Sequence, residues 1–186
     1  MANWATTHYV IEGDDNQLQH IYNTMKNVID GCIKPETSAS IGWEGNVILA
    51  LGGIWGESEY MRGFISECEF DNGILSFVAE EAWGATDFRH VLRRVYPEIE
   101  IFYIVEEPGC DVYATNDVTG KYFTERYYVD CCVNGEYYSE YFSDMDDVFK
   151  YLKDFSIENE DDITAFNENK ENEDDFIYLH EFEYFD

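Results

Sequence analysis

Residues 80–109, "EEAWGATDFRHVLRRVYPEIEIFYIVEEPG", predict a helix followed by a strand and decide the fold class of this chain. Apolar residues recur at helical spacing from about Thr86 to Tyr96, and Pro97 ends that helix. Residues 99–106 then alternate between two faces, as in a half-buried strand. The stretch therefore supplies two neighbouring elements, each with one apolar face.

The sequence before this stretch predicts a strand, a helix and a hairpin. Residues 4–12 alternate as a first strand, and residues 15–30 repeat apolar side chains at helical spacing. Residues 31–60 are interpreted as an insertion with a short helix. Residues 61–81 form a hairpin around Asn72-Gly73, because Asn-Gly supplies the positive φ angles of a tight turn. The order β-α-β-β-α-β predicts an α+β fold, the ferredoxin-like sandwich, with both helices on one face of an antiparallel sheet.

The remaining sequence predicts an extension of this sheet. Strand-like segments on both sides of Asn134-Gly135 form a C-terminal β-hairpin, and Asp144 caps a third helix. Residues 157–175 are acidic and rich in Asn, and we expect a mobile linker there. The final "DDFIYLHEFEYFD" regains aromatic residues and should dock on its own body or on a partner. The predicted organisation is one domain over residues 1–156 and an acidic tail over residues 157–186.

Specific residues in the first part of the chain resemble a known family. They are Trp4, Glu81, Trp83, Tyr96, Pro97, Glu106, Glu107 and Gly109. With the hairpin, they resemble the Api92-like or YubB-type ferredoxin-like proteins of phages, plasmids and bacterial genomes, over roughly residues 1–115. A proline follows the tryptophan in that family, whereas this chain has Gly84-Ala85. The resemblance implies the fold and an association with mobile elements, but no activity.

The net charge of the chain limits the kinds of partner that it is expected to bind. Forty Asp and Glu against eleven Lys and Arg give a formal charge of -29, of which residues 157–186 contribute -11. Direct binding to nucleic acid or to an anionic membrane is therefore disfavoured. Five cysteines without a CxxC motif predict reduced thiols, and the N-terminal residues lack the pattern of a secretory signal. We expect a soluble, cytoplasmic protein.

The glutamates around residues 80 and 106 are the best candidates for chemistry, since strand ends can bring carboxylates together. In a chain with forty acids, two Glu-Glu pairs are expected from composition, and solvated or helix-capping glutamates are the simpler interpretation. The candidate surface site consists of Glu81, Trp83, Arg93, Glu106 and Glu107. The four histidines lack ligand spacing and no phosphate-binding glycine motif is present, so no catalytic residue, metal or cofactor is predicted.

Tyrosines cluster on the predicted C-terminal hairpin and form a candidate interaction face. They are Tyr127, Tyr128, Tyr137, Tyr138 and Tyr141. The leading hypothesis is a noncatalytic acidic interaction protein that binds a basic partner, in its narrowest form as a nucleic-acid mimic in a basic groove. One alternative is a small metal-dependent or acid–base enzyme that uses Glu81, Glu106 and Glu107. Another is an acidic protein whose charge serves solubility alone.

Overall fold

A computed structural model describes residues 3–33, 41–170 and 172–185 and shows an α+β protein. The chain divides into two compact units, residues 1–117 and 118–186, each with its own hydrophobic cluster. This boundary differs from the predicted one at residue 156. The hairpin expected to extend the first sheet instead packs with the helices that follow it, which gives the second unit a separate core.

The first unit contains three helices and five strands among its described residues. They are β1 Trp4–Glu12, α1 Asp15–Ile29, α2 Glu44–Ala50, β2 Gly63–Asp71, β3 Ile74–Ala82, α3 Phe88–Val95, β4 Glu100–Glu107 and β5 Val112–Thr115. Within this unit the strands lie in the order β2-β3-β1-β4-β5, and all neighbours are antiparallel. The short helix expected in the insertion is α2, while residues 34–40 of that insertion lie outside the described residues.

The core of the first unit follows from the alternation of the central strand. Thr7, Tyr9 and Ile11 of β1 point to one face and are buried, whereas Trp4 and His8 point away and are exposed. α1 and α3 bury their apolar stripes in the same cluster as this inner face. α1 begins as predicted, because the Asp14 carboxylate accepts the backbone N–H groups of its first turn.

Both predicted Asn-Gly turns are present. Asn72 and Gly73 have φ angles of 50° and 79°, and Asn134 and Gly135 have φ angles of 54° and 79°. Two consecutive residues at positive φ are the requirement of a type I′ hairpin turn, which Asn-Gly meets at low cost. These turns set the register of the two hairpins.

The second unit has a three-stranded sheet with helices on one face. Its elements are β6 Tyr127–Val133, β7 Glu136–Phe142, α4 Met145–Leu152, α5 Glu160–Asn169, β8 Phe176–Glu181 and the short β9 Glu183–Tyr184. The sheet has the order β7-β6-β8, with antiparallel neighbours. Its core is built from Val129, Cys131, Val148, Leu152, Ile157, Ile163 and Ile177.

The segment predicted as a mobile linker contains a helix. α5 is capped by the Asn159 side chain, which accepts the Asp162 N–H, and it buries Ile163. The Asn167 side chain also bonds both backbone groups of Ile177, at 2.9 and 2.7 Å, and so ties α5 to β8. The acidic composition of this segment did not indicate that α5 has a buried face, or that Asn159 and Asn167 bond to backbone groups. The C-terminal segment docks within its own unit, since β8 pairs with β6.

None of the helices in the described ranges is long and apolar enough to cross a membrane.

Candidate functional site

Two buried carboxyl groups meet in the first unit. Glu44 is the first residue of α2, Glu81 lies near the end of β3, and both are 0% exposed. Gly63 at the start of β2 makes room for Glu44, because a Cβ at that position would overlap the Glu44 carboxyl group. The sequence prediction included Glu81 but not Glu44, which lies in the insertion where periodicity was uninformative.

Thr86 connects the two carboxyl groups. Its Oγ1 lies 2.8 Å from Glu44 Oε2 and 2.8 Å from Glu81 Oε1. Its backbone N–H donates to Glu81 Oε1 at 2.9 Å, and the Tyr9 hydroxyl lies 3.0 Å from each oxygen of Glu81. Glu81 therefore has donors from a strand and from the loop before α3.

The geometry around Thr86 requires a proton on one carboxyl group. A hydroxyl has one hydrogen, so Thr86 cannot donate to two carboxylates at once, and one of them must donate to Thr86. Burial, followed by the negative charge of Glu81, raises the pKa of Glu44 well above its usual range. Burial also raises the pKa of Tyr9, and the Glu81 charge adds to that effect. We conclude that Glu44 is the protonated partner and that it donates to Thr86 Oγ1, which in turn donates to Glu81.

Arg89 lies close to this pair, although the helical spacing of apolar residues from Thr86 to Tyr96 predicts that Arg89 lies on the exposed face of the helix. It is buried, its Nη1 donates to the Thr86 carbonyl at 2.7 Å, and its guanidinium lies 4.7 Å from the centre of the Tyr103 ring. The difference arises because Arg89 is in the first turn of α3, where its side chain can reach back to the preceding loop. Arg93, the predicted member of the site, is only half-buried on the same helix.

The two glutamates at the end of β4 point to opposite faces. Glu107 shares the inner face with Tyr103 and is 1% exposed, whereas Glu106 is half-buried on the outer face opposite Thr6. Among the described residues no hydrogen-bond partner lies within reach of either Glu107 carboxylate oxygen. Strand alternation thus separates Glu106 from Glu81 and Glu107. In the described part of the chain, no three His, Cys, Asp or Glu side chains converge as ligands for a metal ion.

Trp83 lies on the surface of the first unit in a left-handed conformation, with φ of 67°. The Arg62 guanidinium lies 4.6 Å from the Trp83 ring centre and 4.5 Å from that of Tyr60. The exposed tryptophan is therefore part of a small cation–π cluster. The predicted site residues do not form one constellation, since Glu81 and Glu107 are buried, Glu106 lies on the other sheet face and Trp83 is at the surface.

The predicted tyrosine face is divided by the sheet of the second unit. Tyr127 and Tyr138 lie on the face that packs against α4 and the following turn. Tyr128, Tyr137 and Tyr141 lie on the other face, together with three residues from β8 that the sequence prediction missed. We define the aromatic face as Tyr128, Tyr137, Tyr141, Phe176, Tyr178 and His180.

The aromatic face is a chain of rings in mutual contact. Tyr137 packs edge-on against Phe176 at 6.1 Å, and Phe176 stacks on Tyr178 at 4.9 Å. Tyr128 lies 4.6 Å from Tyr141 and 5.9 Å from the His180 ring. Tyr137 is 72% exposed and Tyr178 is 52% exposed, which is unusual for a packed aromatic cluster. The rings therefore support each other and still present a large apolar surface.

One carboxylate of these strands lies among the rings. β6, β7 and β8 contain no Lys or Arg, and of their four acids Glu136, Glu140 and Glu181 lie on the other face of the sheet. Asp130 lies on the same face as the rings, between Ser139 of β7 and Tyr178 of β8. A cationic ligand would meet aromatic rings and the Asp130 carboxylate here.

Comparison with known proteins gives no family for this chain. No protein-family model matches it, and no curated protein matches it either. The resemblance to the Api92-like proteins stays a prediction from the residues that carry it.

Proposed function

We propose that this chain is a noncatalytic interaction protein that binds an arginine- and lysine-rich segment of a partner protein through the aromatic face. One observation supports this proposal most strongly. The aromatic face combines exposed Tyr137 and Tyr178 with the Asp130 carboxylate, and its three strands contain no basic residue.

The chemistry of the aromatic face suits guanidinium groups. Arginine stacks on aromatic rings through cation–π contacts worth about 0.5–1 kcal/mol each at exposed sites. Tyrosine side chains give rigid contact area at a low cost in entropy, and those of the aromatic face are already held by neighbouring rings. A partner would therefore meet a largely preorganised surface.

The charge of the whole chain favours the same class of partner. The first unit has twenty acidic and six basic residues, or -14, and the second has twenty and five, or -15. Both units therefore attract a basic partner over long range and repel nucleic acid. In the narrowest form of the proposal, the basic segment belongs to a DNA- or RNA-binding groove and the chain acts as a nucleic-acid mimic. Competition by DNA for the same partner tests that form.

We also assign the first unit to the ferredoxin-like sandwich. The strand order β2-β3-β1-β4, with α1 and α3 in the core on one sheet face, supports this assignment, and β5 extends the sheet beyond β4. Together with the resemblance to the Api92-like proteins, it favours an association with mobile elements. An interaction protein fits that association without requiring an activity.

The enzymatic alternative has less support from the geometry. Acid–base work at Glu81 would need access to a substrate, but Glu81 and Glu44 are both fully buried. Glu106 lies on the opposite sheet face and cannot assist them. The buried pair is therefore assigned to folding of the first unit.

The proposal is tested with two defined probes, fluorescently labelled nona-arginine and nona-lysine. Their affinities for the full chain are measured by fluorescence anisotropy over a range of salt concentrations. Tyr137→Ser and Tyr178→Ser are combined in one variant, which leaves the net charge unchanged. Tyr60→Ser is the matched control, because Tyr60 is an exposed tyrosine of the first unit.

We expect nona-arginine to bind more tightly than nona-lysine, because only guanidinium stacks well on tyrosine. The double variant should weaken nona-arginine binding about fivefold or more, from two lost cation–π contacts. The Tyr60 control should bind as the unaltered chain does. Equal affinity for both probes, or equal binding by all variants, would show only a nonspecific effect of charge and would overturn the proposal.

A further inference from the structure

We infer that a pocket in the second unit, separate from the aromatic face, binds the guanidinium group of an arginine side chain. The inference rests on the proposed function, since it names a second contact for the same basic partner. The pocket has a volume of about 430 Å³ and lies between the β6–β7 turn, the turn that follows α4 and the end of α5. That volume is in the range of small-ligand sites, roughly 300–1,000 Å³.

The pocket has apolar walls and two carboxylates. Val133, Phe155 and Phe166 supply the walls, and Asp154 and Asp175 supply the charges. Asp175 is only 6% exposed, and its Oδ1 accepts the Gly135 N–H at 3.2 Å, so this carboxylate is fixed in place. An aliphatic stem can lie along such walls while its cationic end reaches the carboxylates.

The C-terminus of α5 at the pocket favours a cation further. α5 ends at Asn169 with no basic residue in its last turn, and Asn169 lines the pocket. Carbonyl groups at helix C-termini have a partial negative charge that attracts cations.

Lys170 also lines the pocket, so its ammonium group must be counted with the two carboxylates. Its Nζ donates to the Glu173 carbonyl at 2.9 Å, in the loop before β8. The two carboxylates outnumber this one ammonium group, so the pocket keeps a negative charge. Arginine is favoured over lysine because the planar guanidinium can face an aromatic wall and pair with a carboxylate at once.

The test uses the full chain labelled with ¹⁵N and two small probes. The first is N-acetyl-arginine methylamide, and the second is its uncharged norleucine analogue. Backbone amide shifts are followed through titrations of the unaltered chain, of Asp154→Asn and of Asp146→Asn. Asp146→Asn is the matched control, since Asp146 is an exposed acid of the same unit that does not line the pocket. The nona-arginine affinity of each variant is measured in parallel.

We expect the arginine probe to shift the amides of Asn134, Gly135 and Ser156 in a saturable way, and the norleucine probe to leave them unchanged. Asp154→Asn should weaken that binding about threefold to tenfold, since it removes one charged partner of the guanidinium. Asp146→Asn should have no such effect. Shifts elsewhere, or equal weakening by both variants, would overturn the inference.

The outcomes separate this inference from the proposed function. If the arginine probe leaves the pocket amides unchanged while nona-arginine still binds through Tyr137 and Tyr178, the pocket inference is wrong and the proposed function stands. If the arginine probe binds the pocket but nona-arginine shows no dependence on the tyrosines, the pocket is a site for free guanidinium compounds and the proposed function is wrong.

Discussion

Replacing Glu44 by glutamine should remove a pH-dependent instability from the first unit. Glutamine has nearly the shape of the protonated carboxyl group, and its amide can still donate to Thr86 or Glu81. The variant therefore imitates the neutral Glu44 of the folded protein. It cannot ionise, so it lacks the cost that the glutamate incurs when its proton is removed at higher pH.

The sign and size of the effect follow from linkage. The pKa of Glu44 is raised in the folded state, so its favourable contribution is complete below the unfolded value, near 4.3, and is lost as pH rises through the folded value. Between those two values the free energy of unfolding should fall by about 1.4 kcal/mol per pH unit. The Glu44→Gln variant should lack this decline. It should match the unaltered chain to within about 1 kcal/mol in mild acid and exceed it in stability above neutral pH.

The assay is urea unfolding followed by tryptophan fluorescence. All four tryptophans, Trp4, Trp43, Trp55 and Trp83, lie in the first unit, so their emission reports on that unit alone. Midpoints and slopes are measured at each pH unit from about 5 to 8, a window above the unfolded pKa of glutamate.

The matched control is Glu69→Gln, which removes the same charge from an exposed position of β2. This control measures how much stability is gained when one negative charge is removed from a chain of formal charge -29, whose acidic groups repel each other. The reasoning would be refuted if the stability gain of Glu44→Gln had the same pH dependence as that of Glu69→Gln. It would also be refuted if the gain decreased as pH rose.

Three further predictions follow from packing, thiol burial and charge. Gly63→Ala should destabilise the first unit by about 1–3 kcal/mol in urea unfolding, because its methyl group would overlap the Glu44 carboxyl group, while Gly56→Ala should be nearly neutral. Burial raises the pKa of Cys131 to about 11, so a disulfide reagent near pH 8 should modify Cys110 rapidly and Cys131 only on unfolding; equally fast labelling would contradict its burial. The thermal midpoint of the chain should rise with ionic strength, as calorimetry can check, and a flat midpoint would mean that the charges are already balanced locally.

Short-range patterns in the sequence predicted most elements of the first unit correctly. The alternation of residues 4–12, the helical spacing of residues 15–30 and the Asn72-Gly73 turn all depend on neighbouring residues, and the structure shows each of them. The burial of Glu44 could not be predicted in this way. It depends on Gly63, nineteen positions later in the chain, which leaves the volume that the carboxyl group fills.

In the second unit, the amino-acid composition led to a wrong prediction of local structure. α5 has acidic residues in its first turn, which led to the prediction of a mobile linker, but acids at a helix N-terminus are favourable. The period-two pattern of Phe176, Tyr178 and His180 was present in the sequence and could have indicated a strand with one aromatic face. Its pairing with β6 could not be predicted, because forty-two residues separate the two strands.

The most direct test of the proposed interaction is to map where nona-arginine contacts the full chain by amide chemical shifts at moderate salt. Our account predicts shifts concentrated around Tyr137, Tyr141 and Tyr178, on the aromatic face of the second unit. Shifts spread over the exposed acids of both units, with no concentration at these tyrosines, would contradict it.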